Sequence, residues 1–295
     1  MKEQRASMRV RIIFLSGMIC MISIFPAAGR DFLEAMSVSD PLTAVTEEPV
    51  ALFPTGYGEF AYINHMFISS EEDVFYFGVL GSFTAFNLFN TFAAGGYYSC
   101  YNLIGPFKEG DPIVNIGRWW MNAVNFEYAI TAAVNILSFH LTLEYARTSQ
   151  HNFTPTYSEV STDRLKSGIV FPEMTFVDLS LLISISGSYV DLFDFWESVL
   201  PKPRIEWIMA PQVLAKYKLN QYISLFLRFN LDWNFLRKGG MDASPYLESG
   251  VILGKYSSRF EFFLEYYQTA DTEELLYNVA PATLLGLGFR TCTGK

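Results

Sequence analysis

Between residues 221 and 235 the hydrophobic side chains fall on every second position. Ile223, Leu225, Leu227, Phe229, Leu231, Trp233 and Phe235 share one parity. Ser224, Arg228, Asn230, Asp232 and Asn234 share the other, with Phe226 as the exception. The same period runs through 123–136, where Val124, Phe126, Tyr128, Ile130, Ala132, Val134 and Ile136 alternate with Asn125, Glu127, Thr131 and Asn135. It recurs in 137–148 and in 177–189. A period of two puts all the apolar groups on one face of an extended strand, whereas a helix needs 3.6. These segments are 12 to 15 residues long. Ordinary strands have about 5 or 6, while a tilted strand crossing a bilayer needs about 9 to 11.

Composition decides between a soluble sandwich and a membrane wall. Of 295 residues, 51% are hydrophobic, 17% aromatic and only 17% charged, against about a quarter charged in a typical soluble domain. Beyond the N-terminus no apolar run is long enough for a spanning helix, which excludes a helical membrane protein. The remaining class is all-β: a transmembrane, antiparallel, up-and-down β-barrel with lipid-facing and lumen-facing residues in alternation. The pattern yields twelve spans, near 57–69, 74–87, 91–104, 123–136, 137–148, 160–171, 174–189, 204–217, 220–235, 244–255, 258–270 and 279–290. The span 160–171 alternates poorly, but parity requires it. With it, the short turns near 88–90, 136–137, 172–173, 219 and 257 all fall on one side, and the longer links 105–122, 149–159, 190–203, 236–243 and 271–278 on the other. Outward aromatics then sort to the strand ends: Tyr145, Tyr189, Trp207, Trp233 and Tyr266 on the loop side, Phe139, Tyr217, Phe260 and Phe289 on the turn side. Amphipathic rings belong at membrane interfaces.

The region 57–291 thus resembles bacterial outer-membrane β-barrel proteins. The last strand, Thr283 to Phe289, is similar to their C-terminal strand, although Arg290 to Lys295 extend past the aromatic residue. The resemblance implies an outer-membrane location in a double-membraned envelope, contact with its lipids, and handling by the outer-membrane assembly machinery.

The N-terminus reads as an export signal. Lys2, Arg5, Arg9 and Arg11 precede an apolar stretch from Ile12 to Phe25, and Ala27-Ala28-Gly29 offers a cleavage site. Removing 1–29 changes the formal charge from −9 to −12. Such acidity argues against a nucleic-acid partner. Residues 30–56 are acidic and read as a periplasmic lead-in in preference to a plug, and 292–295 read as a tail. In 190–203, Leu192, Phe193, Phe195, Trp196, Val199 and Leu200 fall at helical spacing. Cys100 and Cys292 remain as a possible pair or as two thiols.

Function is sought in the lumen. The inward parity carries Glu127, His140, Glu144, Asp178, Arg204, Glu206, Gln212, Lys216, Arg228, Asp232, Glu248, Arg259, Glu261, Glu265 and Arg290. Charges of both signs either pair into a filled interior or line a narrow path. The expected function is a narrow channel for small polar or charged solutes; the alternative is a structural or surface-interaction barrel with a charge-filled lumen. Opposed basic and acidic arcs suit polar or zwitterionic solutes. Neither a metal site, a cofactor site nor a catalytic set is expected, since His65 and His140 lack partners at ligand spacing.

One segment points elsewhere. Tyr145-Ala146-Arg147-Thr148-Ser149-Gln150-His151 is similar to the Tyr-x-His-x-Ser segment of the outer-membrane phospholipase and lipid A deacylase families. That resemblance implies a lipid hydrolase with Ser149 in the nucleophile position. Arg147, however, stands where those families have histidine, and an Arg is no general base. His151 lies two residues from Ser149, roughly 6.6 Å along a strand.

Overall fold

The structure, a computed structural model, describes residues 41–43, 49–67, 73–106, 119–137, 139–152, 158–192, 205–237, 239–255, 258–268 and 283–294. Among these residues, thirteen strands follow a turn of 3-10 helix at Pro41–Thr43. They are β1 (Val50–Phe67), β2 (Asp73–Leu88), β3 (Phe92–Pro106), β4 (Trp119–Ile136), β5 (Phe139–Asn152), β6 (Ser158–Val170) and β7 (Met174–Phe176), then β8 (Leu179–Leu192), β9 (Ile205–Lys218), β10 (Ile223–Leu236), β11 (Met241–Lys255), β12 (Ser258–Gln268) and β13 (Thr283–Gly294). Each wall strand pairs antiparallel with its neighbour in sequence. β1 also pairs with β13, and β6 pairs with β8, so twelve strands close on themselves. β7 stands outside this count. It folds back on the start of β8 as a small hairpin through Val177 and Asp178.

The alternation translates directly into two faces. Ile130, Leu264, Leu287 and Trp207 are among many large hydrophobic side chains left exposed on the outer wall, whereas Thr131, Glu248, Glu261 and Arg290, of the opposite parity, are buried inside. An apolar surface on this scale is incompatible with water. Closure leaves no strand edge with unpaired N–H and C=O groups, which lipid requires. The aromatic residues Tyr145, Trp207, Tyr217, Phe260 and Phe289 lie exposed on the outer face. The rings of Tyr189 and Trp207 meet across β8 and β9 with centroids 4.9 Å apart.

The connections 89–91, 137–138, 171–178, 219–222 and 256–257 lie at one end, called here the turn end. Phe89, Asn90, Leu137 and Val177 adopt positive φ there, as two-residue turns between right-twisted strands demand. Several expected boundaries move. β1 begins at Val50, inside the expected lead-in, because Val50–Leu52 pair with Phe86–Leu88. β13 runs through Gly294, because Thr291 and Cys292 pair with Phe60 and Glu59, so the expected tail is wall. The span expected at 174–189 divides at the β7 hairpin. The links expected at 149–159 and 236–243 shrink to 153–157 and 237–240. The export signal and the helical pattern from 193 onward lie outside the described residues.

Close strand packing depends on glycine at a few inward sites. A Cβ on Gly250 would stand 2.0 Å from the Phe262 carbonyl oxygen, and no neighbour lies within 4 Å of a Cβ on Gly187. Gly250→Val is therefore expected to abolish the heat-modifiable, compact form on unheated gels, while Gly187→Ala retains it. Equal behaviour of the two variants would contradict the packing described.

Candidate functional site

Among the described residues, two ion networks occupy the lumen. The first spans β10 to β13 and reaches β1. Arg290 grips Glu248 with both terminal nitrogens, at 3.1 and 3.0 Å, and donates to Glu261 at 2.9 Å. Its Nε lies 3.1 Å from Glu59. Arg259 donates to Glu261 at 2.7 Å, and Arg228 lies 3.6 Å from Glu248. The Tyr246 hydroxyl bridges Glu248 and Glu265 at 2.5 and 3.0 Å. Glu248 is 0% exposed, and a buried carboxylate of that kind needs charged or hydrogen-bonding partners on every side. Strand register supplies them: Arg228 faces Glu248, Glu248 faces Glu265, and Glu261 faces Arg290 across adjacent strands.

The second network crosses β3 to β6. The Tyr97 hydroxyl donates to Glu127, and also to Glu144 at 3.2 Å. Arg164 Nη2 donates to Glu127 and Glu144 at 3.2 and 3.1 Å, and Lys166 lies 3.8 Å from Glu144. Thr148 donates to Glu127 at 3.1 Å.

Beside the second network lies a cavity of about 240 Å³. Its walls include Glu144, Arg164 and Lys166 on one side and Gln212, Asn230 and Asp232 on the other, with Ser184, Ser186 and Ser188 between. Towards the turn end the lumen turns apolar. Val170, Leu182, Leu214, Phe226, Ile252 and Phe263 form one buried cluster from β6 and β8 to β12. Arg290 lies over the Phe263 ring at 4.5 Å, joining the first network to this layer. On the facing wall, Leu42 packs against Ala93 and Ala133, and Thr84 donates to the Pro41 carbonyl at 3.3 Å. Those partners have the inward parity of β2, β3 and β4, so the turn at Pro41–Thr43 sits inside the barrel. Leu42 is 3% exposed. This corrects the expectation of a free lead-in at that point: the alanines leave a socket one side chain deep, and burying a leucine there is favourable by about 1.5–3 kcal/mol.

Among the expected lumen residues, Glu127, Glu144, Arg228, Glu248, Arg259, Glu261, Glu265 and Arg290 join the two networks, while Gln212 and Asp232 line the cavity. Lys216 and His140 are half-buried near the turn end, and Glu206 lies 3.9 Å from Arg237. Asp178 is misplaced by the sequence reading. It is exposed in the β7–β8 turn, where its carbonyl accepts from the Lys218 N–H at 2.8 Å. The β7 fold-back removes it from the alternating strand. Arg204 lies outside the described residues. The reading missed Arg164 and Lys166 because β6 alternates poorly, Tyr97 and Tyr246 because aromatics suggested the outer belt, and Glu59 because β1 is rich in small and aromatic residues. The unusual inward Phe226 was the one signal of the apolar layer.

On the outer face of β5, Tyr145 donates to Asp163 at 2.6 Å and Arg147 lies 3.9 Å from the same carboxylate. Ser149 Oγ and His151 Nε2 are 3.3 Å apart. That is within hydrogen-bond reach, contrary to the separation expected along a strand, because the two side chains lean together. The His151 ring meets Phe126 edge-on at 5.8 Å.

No protein-family model matches the chain, and no curated protein is similar to it in sequence. Its fold is similar to solved bacterial outer-membrane barrels. An outer membrane channel from Pseudomonas putida F1 matches with a TM-score of 0.54 at 9% identity, covering 85% of this chain and 99% of the other. The outer membrane phospholipase A from Escherichia coli matches at 0.46 and 12% identity, over 79% and 91%. The translocator domain of the autotransporter NalP from Neisseria meningitidis matches at 0.44 and 9%, over 81% and 86%. The chain has the fold of an outer-membrane β-barrel.

Arg290 is the hub of the first network, so its loss leaves three carboxylates facing one another. Arg290→Met is expected to lower unfolding stability by about 3–5 kcal/mol in urea titrations of the refolded barrel. Arg228→Met, which removes one 3.6 Å contact, is expected to cost clearly less.

Proposed function

We propose that this barrel carries small polar solutes across the outer membrane along a narrow lumen gated at its turn end. The observation that supports this reading is the polar cavity of about 240 Å³ held between charged walls. A barrel whose charges were purely structural would pair them throughout and leave no such space. The gate is the apolar layer together with Leu42. Water and ions enter an apolar constriction at high free-energy cost, so the resting state conducts poorly.

Planar-bilayer recordings of the refolded protein test the reading. Small, infrequent conductance steps are expected from the native chain. Leu42→Asp removes about 1.5–3 kcal/mol of burial and adds a charge that the Ala93–Ala133 socket cannot solvate. It is expected to raise the open fraction by about tenfold or more. Silence from both proteins at every voltage would support a filled, structural barrel instead.

A further inference from the structure

We propose that the barrel sits tilted in the bilayer. The turns between β1 and β5 are buried in the acyl chains of the nearer leaflet, while those between β6 and β10 stand among its headgroups. The inference concerns the outer surface and holds whether or not the lumen conducts.

The tips between β1 and β5 are apolar where turns are usually polar. Phe89 and Leu137 occupy them at 69% and 94% exposure, and Phe53, at a bulge in β1, is 71% exposed. All three have positive φ, of 53°, 62° and 49°. Glycine, asparagine and aspartate take up that conformation most readily. A bulky apolar side chain there meets two penalties in water, one for the backbone and one for the exposed surface. Lipid removes the second.

These tips continue the lipid-facing wall. Around the β4–β5 turn the outward residues are Ile130, Ala132, Val134, Ile136, Leu137, Phe139, Leu141 and Leu143, with no polar side chain among them. Around the β2–β3 turn, Phe86 meets Phe92 with ring centroids 5.7 Å apart, and Phe83 meets Phe53 at 6.5 Å. No Asp, Glu, Lys or Arg occurs in 49–56, 83–95 or 131–143.

The β2–β3 turn also leaves no backbone group for water to satisfy. The N–H groups of Phe89, Asn90 and Thr91 donate to the Pro49 carbonyl, the Asn87 side chain and the Leu88 carbonyl, at 2.6, 3.0 and 2.9 Å. The carbonyls of the same three residues accept from the Thr91 hydroxyl, the Asn135 side chain and the Asn135 N–H, at 3.2, 3.4 and 2.7 Å. A turn in water has no need of such completeness, whereas in hydrocarbon each unpaired group is costly.

The opposite arc differs. Phe176, Val177 and Leu219 are exposed there too, but Glu173, Asp178 and Lys218 are exposed beside them. An ionised side chain is costly within hydrocarbon, whereas apolar and charged groups in mixture suit the headgroup level. A bilayer boundary that keeps these charges out and holds Phe89 and Leu137 in lies obliquely across the barrel end.

The full chain refolded into phosphatidylcholine vesicles tests this by spin-label accessibility, with Cys20, Cys100 and Cys292 replaced by alanine. Labels at Phe89→Cys and Leu137→Cys are expected to relax with oxygen, which concentrates in hydrocarbon, and to lose relaxation by a water-soluble nickel chelate. Labels at Glu173→Cys and Asp178→Cys are expected to show the reverse. A second measurement needs no label. Asparagine tolerates positive φ, so Leu137→Asn and Val177→Asn both ease the backbone. In urea titrations of the same vesicles, Leu137→Asn is expected to lower the unfolding midpoint, because its amide enters hydrocarbon. Val177→Asn is expected to leave the midpoint unchanged or raise it. Nickel relaxation at 89 and 137 as strong as at 178 would place the apolar arc in water, open to a protein partner, and overturn the inference. A Leu137→Asn midpoint at or above the native one would do the same, and equal lowering at both turns would refute the tilt.

Discussion

Everything in this molecule follows from the need to leave no backbone amide unpaired in a medium that offers no hydrogen bonds. In lipid each orphaned N–H or C=O costs several kcal/mol. The chain meets this with two seams, β1 on β13 and β6 on β8. The first explains why the chain beyond Phe289 is wall. If the strand stopped there, Glu59, Phe60 and Ala61 would have no partners on that side, whereas they pair with Cys292, Thr291 and Arg290. The second explains why poorly alternating β6 is indispensable: without it β5 and β8 would both be open edges.

Closure also sets the terms for the interior. Once the wall is continuous, inward charges such as Glu248 and Glu261 are removed from bulk water and are neutralised by other inward charges. Antiparallel register does this economically, since residues directly opposite lie within side-chain reach. Glu248 faces Arg228 on one side and Glu265 on the other, and the Tyr246 hydroxyl relieves the like-charge contact by donating to both acids. Asp232 differs, because Ser244 lies opposite it on β11 and the ladder with β9 is interrupted beside it.

The sequence showed the fold well because a period of two is a property of single strands. Residues 221–235 reveal their two faces without any knowledge of neighbours, and even the exception, Phe226, proved meaningful as a member of the inner apolar layer. What could not be read was anything depending on register or on parity within an irregular strand. Arg164 and Lys166 sit on a strand whose outward positions include Ser167 and Asp163, so polarity no longer distinguishes the faces. Asp163 is kept outward by Tyr145 and Arg147. Asp178 shows the opposite failure. Its alternation with Val177 and Leu179 is regular, but the positive φ at Val177 turns the chain and takes the carboxylate out of the strand. Leu42 lay beyond reach for a third reason. A three-residue turn has no periodicity, and only the paired alanines on β3 and β4, small residues at inward positions, hint that something must fill the space above them.

The placement of polar and apolar layers has a mechanical consequence. The ion networks tie each half of the wall together by many short contacts that cannot be broken singly without exposing a buried charge. They are therefore the rigid part of the lumen. The apolar cluster of β6 and β8 to β12 is anchored to them through Phe263 beneath Arg290, so it too is fixed. The turn at Pro41–Thr43 is different: it belongs to no strand, Leu42 packs in the Ala93–Ala133 socket, and Thr84 donates to the Pro41 carbonyl. In the proposed gate the moving part is Leu42, which is not itself part of the strand ladder.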